Sequence, residues 1–89
     1  MTDDDVKKFL RYYWKDLVYF ALDLANLSEV ERESVRLIGM EGNTIERASE
    51  MANPPVSVNT MQSRYSTARK RLIRVWSGID WIEILAKSE

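Results

Sequence analysis

The sequence predicts an all-α protein, a small bundle of four to five helices that contains a helix-turn-helix. Three observations carry this. Apolar residues recur at alternating three- and four-residue spacing along most of the chain, which is the signature of helices with one buried side. Capping residues stand where those stripes begin, and no run alternates with period two for more than a few residues. The one strong interruption, Asn53-Pro54-Pro55, lies between two of the stripes, where proline removes an N–H and disfavours helix in the residue before it. At 89 residues the chain is expected to be a single domain, 1–89.

The first helix is expected over 2–27. Thr2 is its N-cap, and Asp3, Asp4 and Asp5 fill its first turn, where the helix dipole favours acids. Val6, Leu10, Tyr13, Leu17, Phe20, Leu24 and Leu27 follow at 4-3-4-3-4-3 spacing, three heptads of amphipathic helix. Phe9, Trp14, Val18, Ala21 and Ala25 widen the stripe, so one side could cover the core and still meet a second copy as a homodimer seam. Tyr13 is expected in the core; Tyr12 and Trp14 lie off the main stripe and suit a partner contact.

The segment 28–78 follows. Ser28 and Glu31 form a capping box, and the helix they open runs to about Gly39, with Val30, Val35, Leu37 and Ile38 as core. Residues 39–42 read as a turn. A short helix over 44–52, capped by Asn43, ends at the proline pair. The next helix starts after Ser57 and runs to about Trp76, burying Val58, Met61, Tyr65, Ala68, Leu72 and Val75. Gly78 stops it. A last short helix, capped by Asp80, is expected within 79–89, and Trp76 and Trp81 are assigned to the core.

The formal charge of −1 conceals a segregation. Residues 57–78 carry Arg64, Arg69, Lys70, Arg71 and Arg74 and no acid, a net +5, against −4 for residues 1–56 and −2 for 79–89. Such segregation points to an anionic partner on one side. The chain has neither cysteine nor histidine, which removes disulfides, thiolate chemistry and the commonest general base and metal ligand. No nucleophile–base pair, phosphate loop or metal-ligand spacing is present, so neither an enzyme nor a metal or cofactor is expected. The longest apolar stretch is interrupted by Asp16 and Asp23, and the N-terminus lacks the basic start of a signal peptide; a cytoplasmic protein without a membrane partner is expected.

Projected at about 100° per residue, the basic helix turns Asn59, Ser63, Ser66, Lys70 and Arg74 away from its apolar side. Gln62 flanks them on one edge; Thr60, Arg64, Thr67 and Arg71 flank them on the other. The N-terminal half of this outer side is short and neutral, suited to base edges in a major groove, and the C-terminal half is basic, suited to phosphates. The helix N-terminus near Ser57 offers free N–H groups to a further phosphate. Arg69 projects near the apolar side and is expected to pair with an acid of a neighbouring helix.

The stretch 27–72 resembles the C-terminal, promoter-reading domain (region four) of bacterial sigma factors, a helix-turn-helix also found in LuxR-type and small phage transcription regulators. Leu27, Ser28, Glu31 and Arg32 match its opening; Leu37, Ile38 and Gly42 match the apolar pair and glycine before the motif. Ser57, Val58, Thr60, Met61, Ser63 and Arg64 match its recognition helix in order, and Ala68 to Leu72 match its Ala-Arg-Lys-Arg-Leu ending. The resemblance implies base reading by Val58, Asn59, Gln62 and Ser63, and phosphate contacts by Ser57, Thr60, Arg64 and the basic run. The turn, residues 51–57, is about two or three residues longer than the family's, and no upstream polymerase-holding domain stands in the sequence, so a complete sigma factor is not expected. The function implied is a sequence-specific transcription regulator on double-stranded DNA. The alternative is a module that docks on RNA polymerase or on a sigma factor without reading DNA.

Overall fold

The computed structural model describes residues 2–79. It is a small all-α domain of five helices, with no strand among the described residues. α1 spans Asp3–Tyr12, α2 Lys15–Ala25, α3 Glu29–Ser34, α4 Ile45–Met51 and α5 Val58–Trp76. The expected helix within 79–89 and the core role of Trp81 fall outside the described residues.

The expected single helix over 2–27 is two helices. α1 ends at Tyr12; Tyr13 and Trp14 are extended, and α2 restarts at Lys15. The break occurs inside the aromatic triplet Tyr12-Tyr13-Trp14, with no glycine or proline to announce it. The stripe changes with it. Val6, Phe9 and Leu10 of α1 and Leu17, Val18, Ala21, Leu22 and Ala25 of α2 are buried. Tyr13, Phe20 and Leu24, expected inside, are exposed instead, since α2 turns Leu22 rather than Leu24 inward.

The predicted caps at Thr2 and Ser28 form on the residues named. Thr2 Oγ1 accepts from the Asp5 N–H at 3.2 Å, and Thr2 N–H donates to the Asp5 carboxylate at 2.9 Å. Ser28 and Glu31 make the same reciprocal pair. α3 does not stop at Gly39. It continues as a π-helical stretch, Val35–Met40, so the turn begins only at Glu41. Val30, expected in the core, is exposed. Gly39 lies under α1: a Cβ there would sit 2.6 Å from Leu10 Cδ1, so the absence of a side chain sets how closely the two segments approach.

α4 is capped by Thr44, not Asn43. Thr44 Oγ1 accepts from Arg47 N–H at 3.1 Å, while Asn43 Nδ2 donates to the Leu37 carbonyl at 2.9 Å and fastens the loop to the π stretch. Residues 52–57 then reverse the chain. Val56 N–H donates to the Ser49 carbonyl at 3.0 Å, and Asn53 N–H to the Glu33 carboxylate at 3.4 Å.

Two apolar clusters meet on α5. One gathers Tyr65, Ala68, Leu72 and Trp76 with α1, α2 and Val35; Trp76 is fully buried and its Nε1 donates to the Ala21 carbonyl at 2.8 Å. The other joins Met61 to Leu37, Ala48 and Ala52, with Val56 packed against it, and so locks α4 and the turn onto the first half of α5. Burying such side chains contributes about 1.5–3 kcal/mol each, which fixes which side of α5 remains outward. Val58, assigned to that apolar side from the sequence, is exposed at the helix start.

Candidate nucleic-acid interface

Ser57 caps α5. Its Oγ accepts from Thr60 N–H at 3.1 Å and donates to Thr60 Oγ1 at 2.9 Å, so the two residues hold each other at the helix mouth. Val58, Asn59, Thr60, Gln62, Ser63, Thr67, Lys70 and Arg74 are all exposed on α5, and Arg64 and Ser66 are half-buried. No acid lies anywhere on this 19-residue helix. The surface therefore combines amides and hydroxyls on its first two turns with cations further along.

The five cations of α5 divide into two groups. Arg69 reaches Asp3 of α1 at 3.5 Å and lies over the Tyr65 ring, 4.9 Å from its centroid, as its projection near the apolar side predicts. Its Nε is buried without a hydrogen-bond partner. Arg71, expected among the phosphate contacts, is engaged within the fold. It is held by Glu31 at 3.6 Å, with a hydrogen bond of 3.3 Å to the Asn26 carbonyl, so it ties α5 to α3. Arg64, Lys70 and Arg74 form no ion pair among the described residues.

The two edges of α5 have different neighbours. Arg71 packs against Glu31 of α3. The Glu31 carboxyl is held below its ordinary range by its hydrogen bonds with the Ser28 backbone and side chain, with Arg71 adding to the effect. Beyond Gln62 and Arg69 opens a groove of about 680 Å³, walled by α1, the loop before α4 and α5. Lys7, Lys8 and Arg11 of α1 line it, with Asn43, Thr44 and Gln62 opposite and Asp4 as an acid among them. The Arg11 guanidinium packs over Gly42, whose φ of +77° and missing side chain leave room for it. Sequence reasoning missed these three cations. Asp3, Asp4 and Asp5 offset them in the local charge balance, and only the fold brings α1 beside Gln62.

Among the described residues no group of His, Cys, Asp or Glu is arranged to hold a metal, and no helix is long and apolar enough to cross a membrane. What the fold defines is an all-α domain whose longest helix offers an acid-free polar side. Comparison with family profiles, curated proteins and solved structures finds no match to this chain.

Proposed function

We propose that this chain is a sequence-specific, DNA-binding transcription regulator that resembles sigma factor region four and inserts α5 into the major groove. The observation that carries the reading is the outer side of α5. Asn59, Gln62 and Ser63 stand free near its start, where amides can pair with adenine edges, and Arg64, Lys70 and Arg74 remain unpaired for phosphates. α4 and the turn buttress this half of α5 through Met61. Titration of a labelled random duplex, followed by fluorescence anisotropy at about 50 and 200 mM salt, tests it: binding that weakens sharply with salt is expected. Absence of binding at the lower salt removes the proposal.

A second reading is favoured by a separate observation. Tyr12, Tyr13, Trp14, Tyr19, Phe20 and Leu24 are exposed along α1 and α2, with Tyr12 at 79% and Trp14 at 68%. A run of six such residues along two consecutive helices is what a candidate interaction surface looks like. They suit a homodimer seam, or docking on RNA polymerase or a sigma factor. Replacing Arg64 and Lys70 by glutamate separates the readings: it abolishes DNA binding under the first and spares partner binding under the second.

A further inference from the structure

We propose that the DNA-contacting surface does not end at α5 but crosses the groove onto α1, where Lys7, Lys8 and Arg11 take phosphates flanking the bases that α5 reads. This rests on the DNA-binding reading above and extends it to a helix outside the segment that resembles region four.

The ion pairs point this way. Arg32 pairs with Asp23, Arg36 with Glu41, Arg47 with Glu50, Arg69 with Asp3 and Arg71 with Glu31. Apart from Lys15, the cations left without an ion pair among the described residues lie on two helices only, α1 and α5. The groove of about 680 Å³ joins those two sets, and Gln62 belongs both to its wall and to the edge of the outward side of α5. Asn59 and Ser66 lie only about 40–60° of helix rotation beyond Gln62. A phosphate strand running off that side therefore meets α1 next.

The acids at the start of α1 are mostly engaged elsewhere. Asp3 is bound to Arg69, and the Asp5 carboxylate accepts from Thr2 N–H, which holds its pKa below the ordinary value, with the charge of Lys8 adding a smaller share. Asp4 stands on the same wall of the groove as Lys7, Lys8 and Arg11 and offsets one of their charges. On the opposite edge of α5, Arg71 is neutralised by Glu31, which leaves Arg64 as its unpaired cation. Three further unpaired cations therefore lie beside the Gln62 edge of the reading helix, where a phosphate strand can meet them.

Salt dependence distinguishes the two footprints, because each neutralised phosphate adds about −0.9 to the slope of log K against log salt. Three unpaired cations on α5 cap the slope at about −2.7; adding the three on α1 moves the cap to about −5.4. The test is anisotropy with a random duplex across about 50 to 200 mM salt. It compares the full chain, a Lys7→Gln/Lys8→Gln double variant and a triple variant that adds Arg11→Gln, with circular dichroism as the check on folding. The double variant leaves Arg11 over Gly42, so it serves if the triple variant does not fold. The expected result is a parent slope steeper than about −2.7, falling by about 0.9 per removed cation, with affinity at low salt down at least about tenfold in the triple variant.

A parent chain that binds DNA with slope and affinity unchanged by these substitutions overturns the inference and leaves the α5 reading intact. A parent chain that binds no DNA overturns both. Thermal stabilisation by inorganic pyrophosphate that the triple variant abolishes, with its DNA slope unchanged, makes the groove a small-anion site and overturns the inference as well.

Discussion

Arg71 and Glu31 face each other at 3.6 Å across the junction of α5 and α3, and Glu31 is at the same time the third residue of the Ser28 capping box. One carboxylate therefore closes the start of α3 and anchors the middle of α5. Arg71, though it belongs to the basic run, is occupied with structure. Arg71→Gln is expected to leave the salt slope of DNA binding unchanged and to cost less than about 1 kcal/mol, as a partly exposed pair does. Arg74→Gln should lower the slope by about 0.9 with no change in thermal stability. Salt titrations of both variants, with melting curves, check this.

The same carboxylate gives stability a pH dependence. The Glu31 pKa is lower in the folded chain than its ordinary value of 4.5, through its hydrogen bonds with Ser28 and then the charge of Arg71. The unfolded chain therefore takes up the proton first as pH falls. The contribution of Glu31 is complete above about pH 4.5 and is lost as pH drops toward the folded value. Asp5, lowered by Thr2, acts in the same direction. Melting curves at neutral and acid pH are expected to show the parent more stable than Glu31→Gln at pH 7, with the gap narrowing only as the solution is acidified below about pH 4.5.

Gly39 sits where α1 crosses the π-helical stretch. A methyl group there meets Leu10 Cδ1 at 2.6 Å, and Leu10 is itself buried with little room to move. Gly39→Ala should cost about 1–3 kcal/mol by overpacking, measured by urea unfolding. In a Leu10→Ala background the same change should cost much less, because the space it needs has been vacated. Equal costs in both backgrounds would refute the contact.

Tyr12, Trp14 and Phe20 carry little of the fold. Replacing Trp14 and Phe20 by serine is expected to change stability by no more than about 0.5 kcal/mol. A homodimer that uses this surface would dissociate to monomer in the same variant. Sedimentation velocity on parent and variant reads the outcome directly.

Much of the architecture was legible because its signals are local. Thr2 and Ser28 announce helices through hydrogen bonds that span three residues, and both form as expected, while the cap expected at Asn43 falls on Thr44. The buried side of α5 follows from spacing alone, with Met61, Tyr65, Ala68 and Leu72 all inside. The division of α1 from α2 was not legible. The 4-3 repeat runs on through the break although Tyr13, Phe20 and Leu24 end up outside, and an aromatic triplet is not a helix breaker by composition. The π-helical winding of Val35–Met40 left no local signal either. Within the candidate site, the outward residues of α5 were readable from one helix. The pairing of Arg71 with Glu31, and the approach of Lys7, Lys8 and Arg11 to Gln62, depend on which helices become neighbours, and only tertiary packing decides that.

Because both apolar clusters converge on α5, its two sides answer to different constraints. A substitution at Asn59, Ser63 or Lys70 touches no buried atom, so the outer lettering of the helix can be rewritten one residue at a time while the scaffold stays as it is. A single-residue deletion between Met61 and Tyr65 would instead rotate everything after it by about 100°, swinging Leu72 and Trp76 out of their seats. The domain is thus tolerant of new spelling and intolerant of new length, so its outer surface can be rewritten by point changes alone.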